Sequence, residues 1–146
     1  MRHFRGIADN IKRKYREDER QEGSVTFKEF IQYIIDPRTH QPFDRHWRPM
    51  YQLCQPCRIH YDFLGHYETL AEDSRYVIDR LGIADREFPQ PTIAHNSSDR
   101  VTEMFSQLTA NEIRRLVEIY YFDFVLFGYS PTHHVTEFKN DLNTQA

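Results

Sequence analysis

Apolar residues Phe4, Ile7, Ile11 and Tyr15 recur three or four positions apart in a stretch, 4–20, otherwise dense in Arg, Lys, Asp and Glu. That spacing predicts a charged amphipathic helix with a narrow buried stripe, ended by Glu22-Gly23-Ser24. The next start signal is stronger. Thr26 stands three residues before Glu29, the spacing of a capping box, and Val25 and Phe30 flank it as a hydrophobic staple. Phe27, Phe30, Ile31 and Ile34 form one stripe of this second helix. Asp36-Pro37 stops it, because proline has no N–H to donate and disfavours helix in the residue before it.

Residues 37–57 hold Pro37, Pro42, Pro49 and Pro56 and read as a long turn-rich loop carrying Phe43, His46, Trp47 and Tyr51. Beyond it Ile59, Tyr61 and Phe63 alternate with His60, Asp62 and Leu64, which predicts a short, partly buried strand ended by Gly65. A helix opens at 68–72, with Thr69 and Glu72 again at capping-box spacing. It buries Leu70, Tyr76, Val77 and Leu81 and stops at Gly82. Residues 84–102 read as a polar loop with Pro89 and Pro91. Thr109 with Glu112 is a third capping box, stapled by Leu108 and Ile113. Its helix runs through Leu116 and Val117 into Tyr120-Tyr121-Phe122. The apolar run from Phe124 to Tyr129 is expected to pack on the core as helix end or strand, before a polar tail at 131–146. A single strand has no stability in water without partners. The pattern therefore places one strand of this chain in a sheet whose other strands lie elsewhere.

Composition narrows the classes. With 39% hydrophobic and 14% aromatic residues, the 146-residue chain can bury a core. A formal charge of −3 gives no overall attraction for nucleic acid, and any anionic ligand would depend on local cations. No apolar run approaches the ~20 residues of a membrane span, and the polar segment 1–14 has no signal-peptide core. Cys54 and Cys57 alone cannot complete a four-ligand zinc site. Asn96-Ser97-Ser98 is a glycosylation sequon in a polar stretch, so Asn96 is a candidate glycan acceptor of a lumenal protein.

Several blocks together resemble the Golgi carbohydrate sulfotransferases that modify chondroitin, dermatan and related terminal sugars. They are 25–30 (Val-Thr-Phe-Lys-Glu-Phe), 43–49 (Phe-Asp-Arg-His-Trp-Arg-Pro), 54–57 (Cys-Gln-Pro-Cys), 61–65 (Tyr-Asp-Phe-Leu-Gly), 67–70 (Tyr-Glu-Thr-Leu) and Glu72-Asp73. A last block runs from Asp123-Phe124 to Phe127-Gly128-Tyr129-Ser130. They stand in the family's order over residues 24–130, and residues 1–130 are taken as the C-terminal part of that domain. The resemblance implies an α/β fold around a parallel sheet, with this chain its mostly helical C-terminal portion. It also implies 3′-phosphoadenylyl sulfate (PAPS) as donor, no metal, a glycan acceptor, and a Golgi lumenal enzyme anchored by an N-terminal membrane segment. The family's donor loop lies upstream of these blocks. The five glycines here are scattered and form no phosphate cradle, so the chain alone is expected to be inactive. The alternative is a non-catalytic glycan- or partner-binding module of the same descent.

Sulfuryl transfer needs a base for the sugar hydroxyl and cations for the leaving oxygens. His46 is the candidate catalytic residue, because imidazole titrates near neutrality. Around it, Trp47 is placed to stack on a pyranose, and Arg45 and Arg48 to pair with a uronate or sulfate. Each has a plainer reading, with Trp47 in the core and His46 capping a turn. His60 and Asp62 lie opposite the apolar face of the expected strand. They are candidate acceptor contacts or merely solvated side chains. Glu68 at the turn is explained by the helix dipole. Cys54 and Cys57 are expected in a structural disulfide, with each other or with partners in the missing part of the domain, ahead of a zinc site shared with His60 or His66.

Overall fold

The structure, a computed structural model, describes residues 2–16, 22–39, 43–83, 85–89 and 97–131. Asn96 and nearly all of the tail lie outside them. The described residues form helices α1 (Arg2–Tyr15), α2 (Phe27–Ile35), α3 (Met50–Cys54), α4 (Leu70–Leu81), α5 (Ser97–Phe105), α6 (Ala110–Ile119) and α7 (Tyr121–Phe127). A 3₁₀ turn, Tyr67–Thr69, leads into α4.

Two of the three expected capping boxes are built as read. At α2 the Thr26 hydroxyl accepts from the Glu29 N–H at 3.2 Å, and Glu29 Oε2 accepts from the Thr26 N–H at 2.7 Å. Thr109 and Glu112 repeat the exchange at α6, at 3.2 and 2.8 Å. These reciprocal bonds satisfy donors that the first helical turn leaves open. The third box is not formed. The Thr69 hydroxyl donates to Asp73 Oδ2 at 2.6 Å, and the same oxygen accepts the His66 N–H at 2.8 Å. A carboxylate four residues on outcompetes the backbone for Thr69. Gly82 and Gly128 close α4 and α7 in the left-handed region, at φ +67° and +70°, where a side chain would be strained.

The core forms where α2 packs on α6. Ile31, Ile34 and Ile35 meet Leu108 and Ile113, ringed by Phe27, Phe30, Tyr33, Trp47 and Leu116. The helix α1 lies against α2 and buries Ile11. Just past its end, Arg16 reaches Glu29 through two bonds, Nε to Oε1 at 2.8 Å and Nη2 to Oε2 at 3.1 Å. Both side chains are almost fully buried, 6% and 8% exposed. Beyond the C-terminal end of α2, Asp36 gathers the Tyr15 hydroxyl at 2.8 Å, Lys14 Nζ at 3.0 Å and two nitrogens of Arg38 at 3.0 Å. The Arg38 guanidinium foremost, with the Arg38 N–H, Tyr15 and Lys14, holds the Asp36 carboxyl far below the usual carboxylate range, against the opposing effect of burial.

Three expectations are corrected here. The stretch 59–64 is not a strand, and no strand occurs among the described residues. The Arg58 and Ile59 N–H groups both turn back to the Gln55 carbonyl, and Ile59, Tyr61, Phe63 and Leu64 stay exposed. Alternation makes a strand only where a neighbour supplies ladder bonds, and no described residue does so. The expected polar loop at 84–102 is also interrupted, because α5 begins at Ser97. Finally, the run 121–127 is helical but only half packed. Phe127 is buried, while Tyr121, Phe122 and Val125 face outward.

Candidate functional site

The segment 43–52 is fixed from within and from below. Asp44 opens a turn, its carbonyl accepting from the Trp47 N–H at 3.1 Å and its Oδ1 from the His46 N–H at 3.0 Å. The same Oδ1 meets His46 Nδ1, so a carboxylate orients the imidazole. Arg48 folds back, Nε and Nη2 both donating to the Phe43 carbonyl at 3.0 and 2.7 Å. Arg45 and His46 are exposed, and Pro49, which follows Arg48, is fully buried.

The floor comes from far along the chain. The Tyr120 hydroxyl donates to the Trp47 carbonyl at 2.5 Å. Burial first, then the Asp123 charge, pushes the Tyr120 hydroxyl up to about 12, so it remains a donor across the physiological range. The Asp123 carboxylate accepts the Met50 and Tyr51 N–H groups at 2.6 and 2.8 Å, capping α3 from a separate helix. The Tyr51 and Phe122 rings pack at 5.3 Å beside it. We expect Asp123→Ala to leave both donors unpaired and to cost about 1–2 kcal/mol. Faster amide exchange at Met50 and Tyr51 would report it, and unchanged exchange would remove Asp123 from this role.

The candidates fare differently. Trp47 turns inward, its indole edge-on to Phe30 at 5.4 Å and to Tyr33 at 6.4 Å, within the core ring. That is the packing reading, not an outward stacking platform. Arg48 lies on the rim of a cleft of about 830 Å³ between the end of α2, the 43–52 segment and α6. Its apolar lining includes Ile34, Ile35, Phe43 and Ile119, and its polar lining includes Asp36, Gln52, Arg115 and Glu118. A second groove of about 570 Å³ shares Ile35, Asp36, Pro37 and Arg115 with it and adds Lys14 and Arg38. His60 and Asp62 are exposed and make no hydrogen bond or ion pair with a described residue, so the structure does not join them to the turn. Cys54 and Cys57 are not paired with each other but stand as exposed free thiols. No group of three or more potential metal ligands occurs among the described residues.

Sequence reasoning missed Tyr120, Asp123 and Arg115. The signal for Asp123 was present, since one carboxylate inside an apolar aromatic run has to find donors. Arg115 carried no signal, because its neighbour Arg114 has the same charge and only the helix face separates them.

A model of the sulfotransferase family matches residues 2–130. Carbohydrate sulfotransferase 11 of Mus musculus is 42% identical over 115 residues, which are 76% of this chain and 33% of the relative. Carbohydrate sulfotransferase 12 of Xenopus laevis is 39% identical over 107 residues, 71% of this chain and 26% of the relative. Carbohydrate sulfotransferase 10 of Xenopus laevis is 37% identical over 134 residues, 84% of this chain and 38% of the relative. The chain thus spans roughly a third of the length of the curated relatives it matches. No solved structure matches it.

Proposed function

The chain belongs to the sulfotransferase family, and on that premise we propose that it forms the acceptor-side part of a carbohydrate O-sulfotransferase. In this reading PAPS is the donor, bound by the polypeptide that relatives carry outside the matched third. A sugar hydroxyl of a glycosaminoglycan or glycoprotein glycan attacks sulfur. The new bond joins that oxygen to sulfur, the bond from sulfur to the phosphate oxygen breaks, and the hydroxyl proton passes to a base. His46 is the base proposed here. With Nδ1 engaged by Asp44, its proton chemistry runs through Nε2. Arg45 and Arg48 contribute positive charge at the same turn.

One observation carries the reading: the 43–49 block, which holds these residues, is locked at Asp44 and by Tyr120, with Asp123 holding Met50 and Tyr51 just beyond it, while Arg45 and His46 are exposed. A surface turn so anchored is suited to presenting polar groups in fixed geometry. The family's parallel sheet belongs to the same proposal. Exposed Ile59, Tyr61 and Phe63 offer apolar surface on which a sheet supplied by the remaining two thirds would pack. The proposed location is the Golgi lumen, reached by an N-terminal anchor of the full-length enzyme. Among the described residues no helix is long and apolar enough to cross a membrane.

Calorimetric titration tests the division of labour. The chain is expected to bind chondroitin oligosaccharides and to show no micromolar affinity for 3′-phosphoadenosine 5′-phosphate. Micromolar nucleotide binding without glycan binding would reverse the assignment.

A further inference from the structure

We infer that the cleft between α2, α6 and the 43–52 segment is a subsite for a carboxylate-bearing sugar, and that Arg115 selects that sugar over a neutral one. This rests on the carbohydrate reading above and adds a residue and a place to it. On α6, Ile113 enters the core, and Arg114 points away, donating to Asn111 Oδ1 at 2.6 Å. One further step of ~100° around the helix brings Arg115 to the shared wall of the two grooves. There it is half-buried and makes no hydrogen bond or ion pair with any described residue. Half-buried guanidinium groups are ordinarily paired, because their donors lose water. This one faces the cleft with its donors uncommitted.

The surrounding carboxylates do not answer that charge. Asp36 is taken up by Tyr15, Lys14 and Arg38, and Glu112 by Thr109 and Gln32. Glu118, on the exposed rim, stands against Arg48 and Arg115 together. With Asp36 paired, the cleft's lining keeps two arginines against one carboxylate, on a chain whose total charge is −3. Ile35, Phe43 and Ile119 supply apolar surface for the C–H face of a pyranose. A guanidinium fork beside such a surface matches a carboxylate in two parallel bonds. The adjoining groove, continuing past Arg115 to Tyr15, Gln32 and Asn111, leaves room for the next sugar of the same glycan.

The test is calorimetric binding of the full chain to three tetrasaccharides at fixed salt: unsulfated chondroitin, its carboxyl-reduced form, and the carboxyl-reduced form bearing sulfate. Wild type is expected to prefer the first over the second by about tenfold, the worth of one good charged contact. Arg115→Gln should erase that preference. Arg114→Gln, which removes the same charge from the other face, should keep it, with unchanged circular dichroism confirming that both variants fold. Equal losses in the two variants would reduce the effect to bulk charge and overturn the inference. A preference for the sulfated neutral sugar would replace the carboxylate by sulfate and also overturn it. Equal wild-type binding of acidic and neutral sugars would sink the inference and leave the carbohydrate reading standing. No binding of any glycan would sink both.

Discussion

Trp47→Ala is expected to lower folding stability by about 3 kcal/mol, at the low end for tryptophan truncation because the residue is only partly buried. The indole meets Phe30 and Tyr33 edge-on, and such pairs add to the burial they share. Its carbonyl also takes the Tyr120 hydroxyl, so a collapsing side chain would drag the turn from its floor. Urea denaturation followed by far-UV circular dichroism checks this, since the substitution removes the chain's single tryptophan as a fluorophore. The midpoint should fall with the slope unchanged. Trp47→Phe, which keeps an aromatic edge for Phe30, should recover a good part of the loss. A decrease below about 1 kcal/mol would return Trp47 to the surface and to the acceptor.

Glu29→Ala is expected to cost about 3–5 kcal/mol, a large share of the 5–15 kcal/mol typical of a folded domain. The substitution takes the Glu29 carboxylate away from the almost fully buried Arg16 guanidinium, which keeps the Ser24 carbonyl at 2.9 Å, and reopens the Thr26 N–H at the start of α2. The Arg16 guanidinium and the Thr26 bonds hold the Glu29 carboxyl at about 2, below its ordinary 4.5, although burial alone would raise it. As pH falls, the unfolded chain therefore takes up the proton first. The stability from Glu29 is complete above about 4.5 and drains away between 4.5 and 2. The gap in denaturation midpoint between wild type and Glu29→Gln should accordingly be widest near neutrality and close over that window. A gap that stayed constant down to pH 2 would show that the ion pair contributes nothing. Asp36, held low chiefly by Arg38, should add to acid sensitivity in the same direction.

The sequence was legible where structure is decided within a few residues. The boxes at Thr26 and Thr109 form as written because donor and acceptor lie three positions apart and no rival stands nearby. Thr69 had a rival in Asp73, which the spacing rule does not weigh. The alternation at 59–64 misled for another reason, since a strand is a property of a pair and the pairing partner is not in the pattern. The candidate site divides the same way. Its segment, 43–49, was singled out by its residue types together with the family resemblance, and His46 and Arg45 are exposed there. Whether Trp47 faces ligand or core depended on Phe30 and Tyr33, which reach it across tertiary space. Arg115 became visible only once its helix had a face.

The grip of Tyr120 and Asp123 on residues 47–51 spans 72 to 73 positions of sequence. Chain closure over that distance is slow and entropically unfavourable compared with forming one helical turn. During synthesis the capping boxes can form as soon as their own residues emerge. The 43–49 turn has its local bonds at Asp44 and Arg48 early, but its floor must wait until Tyr120 and α7 have left the ribosome. The polar groups of the proposed acceptor face are thus among the last parts of this chain to acquire their positions, although they are encoded in its first third.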